Sequence, residues 1–296
     1  MSKKRKGQVT IFIIIAIILV AVVALFFMFK GKVSVEEIPK NIEPVYLNFL
    51  SCLEQEANTG ILVLESQAGY VNTPAFEPGS RYMPFSNKLN FLGNPVPYWY
   101  YVSGNNIQKE QVPTLDEMEV GLAGFVEDRI NSCRFDDFYN QGFTVEMGEP
   151  KAKVNIVDGS VEVVLDMDLD VANSQGAAKV SEHRVVVNSY LGELYNAAKK
   201  VYDKEQSELF LEKYAVDNLR LYAPVDGVEL TCSPKIWNAD DVFGDLEQAI
   251  EDNTMTLKAS GASDDYFSTD LPVVSDIDVR FLNSKEWPHG FEVNPS

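Results

Sequence analysis

Apolar residues recur along this chain with three different spacings, and each spacing predicts a different kind of element. Val9 to Phe29 is an unbroken run of 21 uncharged residues. A helix of that length rises roughly 31 Å, enough to cross the hydrocarbon of a bilayer with every backbone amide satisfied inside the segment. Steps of three and four come next: Val45, Phe49, Leu53, Ile61, Leu64 and Ala68 form one stripe and predict a helix over Val45–Ala68. Thr114, three residues before Glu117, makes a capping box that opens another helix. Its face is Leu115, Met118, Leu122, Phe125, Val126 and Ile130, and it should end near Cys133. The spacing then drops to two. Val161, Val163, Leu165, Met167, Leu169 and Val171 alternate with Glu162, Val164, Asp166, Asp168 and Asp170, as in a strand with one apolar and one mostly carboxylate face.

The remaining elements follow from turn and breaker residues. Asp158-Gly159 is a type I′ hairpin signal that joins Lys151–Val157 to the alternating strand, and Val180–Asn188 returns after a small-residue loop around Gly176. Strands joined by short turns imply an antiparallel meander with helices on its apolar side. Tyr190–Asn218 reads as helical, Asn238 can cap a further helix whose first turn holds Asp240 and Asp241, and Ser275–Leu282 reads as a late strand. Gly69–Thr114 carries Pro74, Pro78, Pro84, Pro95, Pro97 and Pro113, which leaves room for little regular structure beyond a short strand at Tyr98–Ser103. The expected organisation is a basic segment over 1–7, a transmembrane helix over 8–30, a linker over 31–43 broken by Pro39, and an α+β domain over 44–296.

Charge sets the expected topology. Lys3, Lys4, Arg5 and Lys6 precede the apolar run and only Lys30 and Lys32 follow it closely, so the N-terminus is expected in the cytoplasm and the C-terminal domain outside the cell. The apolar run is too long for a cleaved secretory signal and exits through Phe26, Phe27, Met28 and Phe29, so it reads as an uncleaved anchor. The chain holds 25 basic and 44 acidic side chains. A field of that sign argues against nucleic acid as a partner and repels anionic bilayers.

The three cysteines, Cys52, Cys133 and Cys232, all lie on the expected external side, where disulfides persist. None is close enough to another, or to His183 or His289, for zinc-ligand spacing. Three pairings are open. Cys52 with Cys133 is preferred because each sits on or at the end of a predicted helix with an apolar face.

Candidate chemistry is sparse. Asp166-x-Asp168-x-Asp170 has carboxylates for a calcium ion, but Val171 stands where the turn glycine belongs and Ala177 where the closing glutamate belongs. The three acids read instead as a solvated strand face. His183, between Glu182 and Arg184, reads as a surface or cross-strand residue, and no nucleophile elbow, zinc motif or phosphate loop occurs. No catalytic, metal or cofactor residue is assigned. The most distinctive cluster is Tyr98-Trp99-Tyr100-Tyr101, whose rings either pack under the proline-rich loop or present a surface to a carbohydrate or protein partner.

Lys6-Gly7-Gln8-Val9-Thr10, followed directly by the apolar run, resembles the class III signal peptides of archaeal type IV pilin-like proteins. The resemblance implies processing between Gly7 and Gln8 on the cytoplasmic side. Phe12 stands at the fifth mature position, where filament-forming members carry a glutamate. The N-terminus also resembles those of uncharacterised membrane-anchored archaeal surface proteins, which implies a location. The expectation is therefore a single-pass cell-surface protein with a binding or structural role. The alternatives are a pilin-like filament subunit and an extracytoplasmic hydrolase acting through carboxylates.

Overall fold

The computed structural model describes residues 38–81, 85–224, 236–259, 268–269, 277–284 and 287–295. The apolar run at 9–29, Gly7, Gln8 and Cys232 lie outside them. Among the described residues no helix is long and apolar enough to cross a membrane. From Asn41 onward the chain is a mixed α+β unit built largely on antiparallel pairing.

Helix α1 spans Glu43–Ser66, with Pro44 in its first turn where a missing N–H costs nothing. Five of the six residues of its expected stripe are buried, Val45, Phe49 and Leu53 fully and Ile61 and Leu64 nearly so, with Ala57 joining them. The sixth, Ala68, lies past the helix end, half-buried at a left-handed φ of 52°. Helix α2, Leu115–Ile130, has the capping box that its sequence predicts, with Thr114 Oγ1 accepting the Glu117 N–H and Glu117 accepting the Thr114 N–H. The two helices pack together on one face of a sheet, and a four-residue helix α3, Asp136–Tyr139, follows them.

That sheet holds strands β5 (Thr144–Met147), β6 (Lys151–Val157), β7 (Ser160–Asn173) and β8 (Gly176–Asn188), and β7 is its spine. On one side β7 pairs with β6 along Ser160–Asp166 and with β5 along Leu169–Ala172; on the other it pairs with β8 over nearly its whole length. The six odd-numbered apolar residues from Val161 to Val171 are all buried, each contributing about 1.5–3 kcal/mol by removal from water. The meander β6–β7–β8 is as expected, with β5 added beside β6. The β6–β7 turn is not type I′, since only Gly159 has a positive φ, 79°. Near Asp166–Leu169 the register with β8 slips by one residue, and the bulge frees the Met167 carbonyl to meet a side chain.

Helix α2 also seals the outer edge of β6. Glu119 Oε1 accepts the Ile156 N–H at 2.8 Å and Glu127 Oε1 accepts the Ala152 N–H at 2.7 Å. Eight residues of helix rise about 12 Å and four residues of strand about 13 Å, so two carboxylates on one helical line match two amides on one strand edge.

The proline-rich segment is more ordered than its composition predicts. It forms two hairpins: β1 (Lys88–Phe91) with β2 (Asn94–Pro97), and β3 (Tyr100–Val102) with β4 (Gln108–Glu110). Each strand has only one partner among the described residues, so Pro95 and Pro97 sit where a strand edge needs no N–H donor. Buried Asn87 ties the segment together. Its side chain accepts the Glu77 N–H and donates to the Ala75 carbonyl, both at 2.9 Å, while its own carbonyl accepts from the Tyr98 N–H and Gln111 Nε2.

The stretch 190–218 is helical as expected, in two helices. Helix α4, Leu191–Glu208, ends at Leu209, whose φ of 53° is left-handed, and α5, Phe210–Tyr222, starts immediately afterwards. Glu205 turns its carboxylate onto the Leu211 N–H at 2.9 Å and so caps the new helix. Helix α6, Ala239–Thr256, is capped by Asn238 with Asp240 and Asp241 in its first turn, as predicted. Short strands β9 (Lys258–Ala259) and β10 (Ser268–Thr269) are parallel to each other, and β9 leads to the antiparallel pair β11 (Ile277–Ser284) and β12 (Trp287–Pro295). A second core forms here from Ala197, Val201, Leu211, Leu257, Val279 and Phe281.

Candidate functional site

The four aromatics 98–101 lie between the proline-rich segment and α4, and none of them is exposed. Only Tyr100 and Tyr101 belong to a strand; Tyr98 and Trp99 precede it. Trp99 donates through Nε1 to the Ala68 carbonyl at 2.9 Å and stands edge-on to Tyr202 at 5.7 Å and tilted to Tyr195 at 6.1 Å. Burial pushes the Tyr98 phenol up to about 12. Tyr101 is buried, with its hydroxyl on Glu77 Oε2, while Lys109 Nζ reaches Glu77 Oε1 at 2.5 Å. The lysine and the phenol hold the Glu77 carboxyl below its ordinary range. Packing thus uses most of this ring surface.

What stays accessible is the rim. Tyr100 faces Glu110 across the β3–β4 pair and lies near Glu212 at the start of α5. Glu205 and Glu212 stand seven residues apart in sequence, about two helical turns in an unbroken helix, yet the break at Leu209 brings their carboxyls into hydrogen-bond contact. Burial and the Glu212 neighbour push Glu205 up to about 8, so the pair holds a proton near neutral pH.

Cys52, in the middle of α1, and Cys133, three residues past α2, form a disulfide with Cα atoms 6.0 Å apart. The two packed helices bring the thiols together as their apolar faces predict.

His183 is not at the surface. It is fully buried beneath α1, edge-on to Phe49 at 4.7 Å and tilted to Tyr46 at 5.7 Å. Nε2 donates to the Met167 carbonyl released by the bulge, at 2.8 Å, which leaves Nδ1 as a buried nitrogen without a partner. Burial holds its pKa below the ordinary value. Asp168, on the opposite face, is engaged by Lys179 Nζ and Ser181 Oγ, each at 2.7 Å, so a lysine occupies the place where the aspartate series suggested a cation. Among the described residues no group of three or more His, Cys, Asp or Glu side chains is placed to hold a metal ion.

Two features escape the sequence reading. One is the Glu205–Glu212 pair, hidden by a helix break that no glycine or proline announces. The other is the β1–β2 turn, Leu92-Gly93, where Leu92 is 93 % exposed. Asn90 followed three residues later by Gly93 was its available signal.

Comparison of the chain with protein-family models, with curated proteins and with solved structures gives no match. The functional reading therefore rests on its residues alone.

Proposed function

We propose that this chain is a single-pass, membrane-anchored cell-surface protein, N-terminus inside, whose acidic α+β domain has a binding or structural role outside the cytoplasm. The Cys52–Cys133 disulfide carries the reading, because such bonds persist where the compartment is oxidising. It supports the orientation that the four basic residues before the apolar run predict independently. The packed aromatics, which serve the fold, favour a structural role. Glycosidase carboxyls stand about 5 Å apart or more to admit a substrate and a water, and Glu205 and Glu212 touch.

A filament subunit is supported by the Lys6-Gly7-Gln8 junction alone. Pilin-like subunits run one long helix from the membrane into the head, whereas here Ile38 and Pro39 are non-helical and α1 begins at Glu43.

Protease added to intact cells tests the proposal. The domain should be degraded without lysis, and its disulfide should appear as a mobility shift between reducing and non-reducing gels. Protection in intact cells with loss after lysis would overturn the orientation.

A further inference from the structure

The β1–β2 turn places a leucine where folding gains nothing from it. Leu92 and Gly93 have φ values of 52° and 91°, the two-residue geometry that Asn-Gly adopts readily and that strains a leucine. Its side chain is 93 % exposed, so no burial offsets the strain. A strained residue held at an exposed tip is where function is expected to have overridden stability.

Charge gives a second, independent indication. Between Glu77 and Glu110 the chain has no acidic residue and carries Arg81, Lys88 and Lys109, although it holds 44 acids in all. No other stretch after Glu36 is free of acids for as long. The turn is also firmly mounted. Asn90 Oδ1 accepts the Gly93 N–H at 3.0 Å, Asn94 Nδ2 donates to the Ser66 carbonyl at the end of α1 at 2.8 Å, and buried Asn87 holds the base.

We propose that the β1–β2 turn is a bilayer-contacting finger, with Leu92 entering the boundary between headgroups and acyl chains of an anionic membrane. The proposal rests on the reading that the chain is tethered to that membrane. The acidic remainder of the domain is repelled by anionic headgroups, so contact is favoured at the longest segment without carboxylates. A single apolar tip is too weak to recruit a free protein. For a tethered one the contact is intramolecular, and the effective concentration set by the linker makes a weak insertion sufficient.

The test uses the full chain reconstituted in vesicles of phosphatidylcholine and phosphatidylglycerol with brominated acyl chains. Leu92→Trp should be quenched several-fold more than Val120→Trp, a control on α2 that is 73 % exposed. Leu92→Asn supplies the residue the turn prefers. It should keep or raise the melting temperature while abolishing the vesicle-dependent protection of the β1–β2 amides from hydrogen exchange. Co-flotation of the chain with vesicles separates the two readings. A chain that does not float refutes the tether and the finger together, and a chain that floats with equal quenching at both sites refutes the finger alone. Quenching that follows protein density rather than bromine assigns the tip to a second copy and also overturns the proposal.

Discussion

Glu127 on α2 accepts the backbone N–H of Ala152 at 2.7 Å, so a helix side chain completes the hydrogen bonding of a strand edge. Glu119 does the same for Ile156 about two helical turns away. Removing either carboxylate leaves a partly buried amide unmet, at a cost of about 1–3 kcal/mol. Glu119→Ala and Glu127→Ala should each lower the urea midpoint, and the double variant should also self-associate, because an unsealed edge is a template for strand pairing. Glu→Gln at either position should preserve most of the stability, since the amide oxygen still accepts. Urea titrations together with light scattering check both statements.

Asn87 is nearly inaccessible, and its side chain satisfies two backbone groups of the stretch Ala75–Glu77, ten or more residues before it. Asn87→Ala should destabilise the domain by about 2–4 kcal/mol by leaving the Glu77 N–H and Ala75 carbonyl unpaired. Hydrogen exchange should rise over β1–β4 more than over β6–β8. Uniform loss of protection would assign the residue to the global core instead.

Two groups give stability opposite pH dependences. The native state keeps a proton on Glu205 up to about 8, while the unfolded carboxyl releases it near 4.3, so this contribution is complete in acid and is lost as pH rises through about 8. His183 is held below its ordinary pKa by burial, against the opposite pull of its hydrogen bond to the Met167 carbonyl and of the Asp166 and Glu182 charges. Its contribution is complete above about 6.5 and is lost as pH falls from there through the native value. Thermal melts across pH should therefore show Glu205→Gln flattening the alkaline decline and His183→Gln flattening the acidic one. A parallel shift of the whole curve by either variant would contradict the assignment.

Reduction of the Cys52–Cys133 bond should lower stability by about 4 kcal/mol on the chain-entropy account, since the closed loop is long, with a sequence separation of 81. Cys52→Ala combined with Cys133→Ala should give the same loss without reductant. Equilibrium denaturation in oxidising and reducing buffer measures it.

What was legible in the sequence was local. Thr114 and Glu117 announce a capping box because both partners lie within four residues, and Val161 to Val171 announce a strand because burial on one face imposes period two. The disulfide was legible one step further, through helix faces that must pack. The hairpins β1–β4 were not, because Asn87 orders them through bonds to Ala75, Glu77 and Gln111 that no local pattern encodes. Nor was the break at Leu209, which depends on Glu205 reaching forward to the Leu211 amide. His183 shares the buried face of β8 with Val185 and Val187, a period-two placement that the sequence does carry. The one-residue slip between β7 and β8 that brings the Met167 carbonyl to its ring, by contrast, leaves no mark in the residues themselves.

The cross-link from Cys52 to Cys133 also decides how mechanical tension travels. A pull on the chain ahead of α1 reaches Cys52 after a few helical turns and passes straight to Cys133, bypassing everything between them. The hairpins, the Asn87 knot and all of α2 hang on a covalently closed side branch. Stretching the protein by its two ends therefore cannot pay out that length until the sulfur bridge is cut, and a reductant should lengthen the extension recorded at rupture.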